Sequence, residues 1–154
     1  MINKLKGKYV FLDLDGTLSE YRFNNHISGN NGFAGQTWEE LFFGDVFINN
    51  RPLKQMLKLI ENLEHEKVFI LGAITTNHEM NEKYEWLNKY YPFIRKDNII
   101  FVSKSEYKLI AIEQYAQKFK INKQDIVFID DKHSTLRQIE EAGFTAYHIT
   151  SFIE

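Results

Sequence analysis

At 154 residues the chain is long enough for one domain with a substantial core. Apolar residues make up 44% and charged residues 26%, and a formal net charge of −2 speaks against a protein that grips nucleic-acid backbones. Cysteine is absent, which excludes disulfides and thiolate chemistry, and no apolar run approaches a membrane span. The opening Met1-Ile2-Asn3-Lys4-Leu5-Lys6-Gly7-Lys8 lacks the apolar stretch of a signal peptide, so a cytoplasmic enzyme or binding protein is expected.

The first predicted strand, Val10–Leu12, runs straight into Asp13-Leu14-Asp15-Gly16-Thr17. Side chains at i and i+2 of a strand point to the same side, so Asp13 and Asp15 converge at its carboxyl end. Gly16 allows a sharp turn and close approach to its backbone. Thr17 adds a hydroxyl where a loop or helix begins. One carboxylate of such a pair can attack phosphorus while the other moves protons or helps hold a metal.

The stretch 19–51 follows. It is rich in turn-prone asparagine and glycine, with one short helix predicted over Thr37 to Phe43, and reads as a small insert. Tyr21, Arg22, Phe23, His26, Trp38, Phe42 and Phe43 are candidates for a ligand pocket or for packing within that insert. Pro52 opens a helical pattern with Leu53, Met56, Leu57, Ile60 and Leu63 on one stripe.

The remaining elements alternate. Strands are predicted at Val68–Leu71, Ile99–Val102, Ile126–Ile129 and Thr145–Ile149. Helices are predicted at Asn81–Tyr91, stopped by Pro92, at Tyr107–Phe119 and at Leu136–Ala142, closed by Gly143. In the helix over 107–119, Leu109, Ile112, Tyr115, Ala116 and Phe119 are expected to face inward. This alternation implies an α/β fold with a mainly parallel sheet covered on both faces. Ligands then lie beyond the carboxyl ends of the strands.

The strand at 126–129 also ends in acids, Asp130-Asp131. Adjacent carboxylates repel at an apolar strand end, and a hard cation with a taste for oxygen ligands removes that repulsion. The alternative is a helix cap followed by an exposed acid. His78, His133 and His148 lie scattered among loops and are assigned to no metal.

The string of apolar residues followed by D-x-D-G-T resembles motif I of the haloacid dehalogenase (HAD) superfamily, and Asp130-Asp131 resembles its acidic motif IV. The resemblance implies a Rossmann-like three-layer sandwich of a single domain, 1–154, with the insert after the first strand as a small cap. It implies a Mg²⁺-dependent phosphatase acting on a small phosphorylated substrate. Asp13 would be the nucleophile, forming an aspartyl-phosphate, and Asp15 the general acid/base. Mg²⁺ would be held by Asp13, the Asp15 carbonyl and Asp131, with Asp130 in support. Gly16 and Thr17 would contact phosphate. The family lysine falls at Lys108 or, one turn earlier, at Lys104. The family's Ser or Thr after the second strand has three possible counterparts. Matched strand lengths put Gly72 at that level, and a longer strand puts Thr75 or Thr76 there. Gly72 could bind phosphate only through its N–H.

A narrower resemblance is carried by Ile70-Leu71-Gly72-Ala73 and Glu82-Lys83-Tyr84-Glu85-Trp86-Leu87, with Lys89 and Pro92. It is similar to the 5′-nucleotidase type C (deoxyribonucleotidase-like) branch, with glycine replacing a hydroxyl residue. That implies a nucleoside monophosphate or another small phosphoester as substrate. Two rivals follow. One is a phosphate- or metal-binding protein with weakened catalysis. The other is a signalling receiver domain, which the order of the acidic motifs disfavours, because its acidic pair belongs at the first strand.

Overall fold

The computed structural model describes residues 1–20 and 47–153. Its centre is a five-stranded sheet made of β1 (Tyr9–Leu12), β2 (Val68–Ala73), β3 (Ile99–Val102), β4 (Ile126–Asp130) and β5 (Thr145–His148). Every pairing is parallel and the strand order is β3-β2-β1-β4-β5. Among the described residues, four α-helices connect the strands: α1 (Lys54–Glu61), α2 (Asn77–Tyr90), α3 (Lys108–Phe119) and α4 (His133–Glu141).

Strand alternation explains the three layers. Val10, Leu12, Val68, Ile70, Val127 and Ile129 face one side and are buried against Met56 and Ile60 of α1 and Trp86 and Leu87 of α2. Phe11, Phe69, Leu71, Ile126 and Phe128 face the other side, against Ile112 and Ala116 of α3 and Leu136 and Ile139 of α4. Strands covered on both faces need apolar residues at every position, which is why they read as continuous apolar runs. The chain winds outward from β1 to β2 and β3, then returns to the other side of β1 for β4 and β5. The reversal places a crevice beyond the carboxyl ends of β1 and β4.

The two ends of the stretch 19–51 are joined beside β1. Glu20 N–H donates to the Arg51 carbonyl at 2.8 Å and Leu53 N–H to the Leu18 carbonyl at 2.8 Å. The Trp86 indole N–H donates to the Asn50 carbonyl at 2.8 Å, anchoring this stem on α2. The helix predicted over 37–43, and the insert aromatics from Tyr21 to Phe43, lie outside the described residues.

Several elements differ from the sequence reading, among them α4, which starts at His133 rather than Leu136 because the turn after Asp131 leads straight into it. Strand β2 runs to Ala73 rather than Leu71, because Gly72 and Ala73 continue the ladder onto Phe101 and Val102. Helix α2 starts four residues earlier than predicted. Thr76 is its N-cap and accepts from the Glu79 N–H at 3.1 Å, a T-x-x-E cap that apolar periodicity cannot register. Phe119 does not face inward. It is 51% exposed at the end of α3, its ring lying against Tyr115 at 4.5 Å. No helix among the described residues is long and apolar enough to cross a membrane.

Candidate active site

The strand register brings the two acidic motifs together. Leu12 pairs with Ile129, and the Asp13 N–H donates to the Ile129 carbonyl at 2.9 Å, so Asp13 and Asp130 stand side by side. Both are buried. Asp131 follows, half-buried, and oxygens of Asp13, Asp130 and Asp131 lie within 4.8 Å of one another.

Lys108, the first residue of α3, is buried and reaches into this cluster. Its Nζ lies 2.6 Å from Asp13 Oδ1 and 2.9 Å from Asp130 Oδ2. Lys104 is exposed. The other Asp13 oxygen, Oδ2, accepts from the Thr17 hydroxyl at a long 3.4 Å. Asp130 Oδ1 accepts from the Lys132 N–H at 2.9 Å, which fixes the turn carrying Asp131.

Burial and crowding set the proton affinities. Desolvation pushes Asp13 up to about 6; Lys108 opposes the rise, and the negative charges of Asp130 and Asp15 add to it. Asp131 is pushed up to about 8, first by desolvation, then by the charge of Asp13 and by the hydrogen bond it shares with Asp130. For Lys108, burial acts to lower the pKa, yet Asp13 and Asp130 outweigh it and hold the ammonium above its ordinary value.

Asp15 turns elsewhere. Its Oδ2 lies 2.6 Å from Nζ of Lys83, which also donates to Glu79 Oε1 at 2.9 Å and to the Ala73 carbonyl at 3.2 Å. Neither Lys83 nor Glu79 was assigned a site role from sequence. The available signal was an i, i+4 Glu–Lys pair on a helix that starts directly after a site-forming strand.

The remaining positions sit as follows. Gly16 has φ +77°, and its N–H donates to the Ser19 carbonyl at 2.9 Å, so that amide serves the turn rather than a ligand. Thr17 is buried beside Asp13. Leu12 pairs with Ile70, so Leu71 falls in the row of Asp13 and Asp130, and Gly72 lies one residue beyond it. A Cβ on Gly72 would meet the Phe101 ring at 3.2 Å and Leu14 Cβ at 3.9 Å. That is the α1/α2 face of the sheet, whereas Asp13 meets Lys108 on the α3 face. Thr75 is exposed on the β2–α2 loop, and its N–H donates to Glu79 Oε2 at 3.1 Å. Among the histidines, His148 Nδ1 accepts from the Thr150 N–H at 3.2 Å, leaving Nε2–H to donate to the Asp131 carbonyl at 3.1 Å. The His148 ring stacks on His133 at 5.0 Å.

No family model matches the sequence, and no curated protein matches it significantly. Solved structures do match. One is a haloacid dehalogenase-like family hydrolase from Streptococcus pneumoniae, 15% identical, with a TM-score of 0.60 over 90% of this chain and 82% of that one. Another is a HAD family enzyme from Bacteroides thetaiotaomicron, in complex with magnesium and inorganic phosphate. It is 15% identical, with a TM-score of 0.56 over 92% of this chain and 93% of that one. The fold is therefore the Rossmann-like α/β fold of HAD-family hydrolases.

Proposed function

We propose that this protein is a Mg²⁺-dependent phosphomonoesterase that works through an aspartyl-phosphate on Asp13. The observation that carries the reading is the convergence of Asp13, Asp130, Asp131 and Lys108 at the carboxyl ends of adjacent strands. The HAD enzyme with bound magnesium and phosphate shares the fold and supports the reading.

The residues present fit a divalent metal. The donors are carboxylate oxygens, the preference of Mg²⁺. Among the described residues around the crevice, five carboxylates (Asp13, Asp15, Glu79, Asp130 and Asp131) face two ammonium groups, Lys83 and Lys108. Burial first, and that excess of negative charge after it, raise the proton affinities of Asp13 and Asp131. Asp13, Asp131 and the Asp15 carbonyl would hold the ion, with Asp130 in support. When bound, the metal supplies positive charge that screens the phosphate from these acids.

The chain's own groups do the rest. Asp13 Oδ1 is committed to Lys108, so Oδ2 is the oxygen that attacks phosphorus, with only the long Thr17 hydroxyl contact to displace. The Lys108 ammonium offsets the charge that would otherwise repel an anionic substrate. Asp15 delivers a proton to the departing ester oxygen and then takes one from the water that hydrolyses the aspartyl-phosphate. Thr17 and the β2–α2 loop, through Thr75 and Thr76, would contact the phosphoryl oxygens.

The substrate is a small phosphomonoester, with nucleoside monophosphates first to test. In the nucleotidase-like stretch Trp86 and Leu87 are core residues and Lys83 serves Asp15, so the stretch contributes support to the site. A second reading, a phosphate- or metal-binding protein without appreciable turnover, is favoured by one observation: β2 carries no side-chain hydroxyl at the level of Asp13, where Leu71 stands, and Thr75 lies exposed on the loop beyond it. A panel of alkyl, aryl and nucleoside monophosphates assayed with Mg²⁺ and with chelator separates the two. Metal-dependent release of phosphate, lost in Asp13→Asn, supports the enzyme; metal binding without release supports the binding protein.

A further inference from the structure

Lys83 is a lysine 1% exposed inside α2, a position that needs a reason, since burying an ammonium is costly unless it is fully paired. Here it is fully paired. Its three N–H donors meet Asp15 Oδ2, Glu79 Oε1 and the Ala73 carbonyl, and the Phe47 ring closes a further side at 4.4 Å. Glu79, also buried, uses its second oxygen, Oε2, to accept the Thr75 N–H. A continuous chain of charge-assisted hydrogen bonds thus runs from the loop after β1, through α2, to the loop after β2. These are the two loops that would embrace the phosphoryl group.

We infer that Lys83 and Glu79 are positioning residues that clamp Asp15 by its Oδ2 and leave Oδ1 as the oxygen that exchanges protons with the substrate. The inference rests on the phosphomonoesterase reading for its consequence, though the clamp itself belongs to the protein in any state. Two carboxyl oxygens that compete for one task give two geometries, and fixing one of them removes that freedom before the reaction. Length is the reason for lysine. From α2 its flexible stem reaches both acids and a carbonyl at once, whereas a planar guanidinium would demand a different cavity. Burial of Lys83 and Glu79 also weakens salt screening of the clamp.

The clamp predicts a dependence on the leaving group. Protonation matters for an alkyl phosphate, whose alkoxide leaves poorly, and matters little for p-nitrophenyl phosphate, whose phenolate leaves unaided. Lys83→Met and Glu79→Gln are therefore measured by kcat/KM on both esters with saturating Mg²⁺, alone and combined with Asp15→Asn. A correctly placed general acid contributes roughly 10²–10⁴-fold. We expect a loss of about 30-fold or more on glycerol phosphate, under about 3-fold on p-nitrophenyl phosphate, and no added loss in the Asp15→Asn background. Equal losses on the two esters, or losses that add to Asp15→Asn, overturn the inference. Glu79→Gln keeps the size and one acceptor for Thr75, so it decides the matter if Lys83→Met does not fold.

A second readout needs no turnover. The ¹³C carboxyl resonance of Asp15 should move in both variants while that of Asp130 stays; an unmoved Asp15 resonance overturns the clamp. A wild-type protein inert toward both esters would defeat the phosphomonoesterase reading alone, and the resonance would then decide the clamp by itself.

Discussion

Asp13 is held by a lysine, flanked by two further acids and set at the end of a central strand. Asp13→Asn keeps its shape but offers a neutral, poor nucleophile. Turnover is expected to fall by roughly 10⁴-fold or more with an unchanged circular dichroism spectrum, and near-wild-type turnover would remove Asp13 from its assigned role. Lys108 carries a structural burden as well. Lys108→Met strands Asp13 and Asp130 as buried carboxylates without their cation, and is expected to cost about 3 kcal/mol in denaturant titrations without metal. Added Mg²⁺ should restore part of that loss, because it replaces the missing positive charge. Asp131 and Lys132 form a matched pair for the metal. Lys132 projects away from the acids, its Nζ 2.7 Å from the Ser105 hydroxyl. Asp131→Ala should weaken Mg²⁺ binding far more than Lys132→Ala in calorimetric titrations; equal affinities would exclude Asp131 as a ligand.

Among the elements, β2 and its exit loop would decide how phosphate is held under the proposed function. Because glycine stands at position 72 where the resembled branch has a hydroxyl residue, the sequence by itself predicts that Gly72→Thr raises turnover. Strand alternation argues the other way. Gly72 presents its missing side chain to Phe101 and Leu14, on the sheet face opposite the one where Asp13 meets Lys108. Its φ is not positive, so the obstacle is space rather than backbone strain. Gly72→Thr should lower stability by about 1–3 kcal/mol through overpacking against Phe101, with no gain in kcat. A rise in kcat with unchanged stability would show that the threonine hydroxyl reaches the phosphate after all. The start of α2 matters more. Thr76 caps it, and Thr76→Ala should cost about 1 kcal/mol and loosen the loop that carries Thr75, read as a lower melting temperature together with a higher KM.

Across the whole molecule, the acidic cluster couples folding to pH and, under the proposed function, to metal. Asp13 and Asp131 bind protons more tightly in the folded protein than the ordinary carboxylate value of 3.8, at about 6 and about 8. Groups raised in this way contribute stability that is fully present below about pH 4 and lost as pH rises through 6 and then 8. The metal-free protein should therefore show a melting temperature that declines between pH 5 and pH 8.5. Mg²⁺ must displace those protons, so its stabilising effect should grow over the same interval. A metal-induced shift in melting temperature that is flat with pH would mean that Mg²⁺ binds elsewhere.

The strand–helix alternation, the two acidic strand ends and the choice of Asp13, Asp15, Asp130 and Asp131 as candidates were legible in the sequence itself. Continuous apolar runs, i, i+2 spacing and turn chemistry are local signals that survive without tertiary context. The start of α2 was legible too, in Thr76 and Glu79, but periodicity alone overlooks a cap. What only the tertiary structure decided was which distant groups meet. Lys108 rather than Lys104 reaches Asp13 because Lys108 opens α3 as a buried residue and its Nζ meets Asp13 and Asp130 at the ends of the neighbouring strands β1 and β4, whereas Lys104 is exposed. Lys83 reaches Asp15 across 68 residues of sequence because β2 lies beside β1. The face to which Gly72 points followed from the register of β1 with β2, since a slip of one residue reverses every side chain of a strand. Strand and helix identity are written in neighbouring residues; register and long-range ion pairs are settled only when the sheet closes its ladders and buries its two faces.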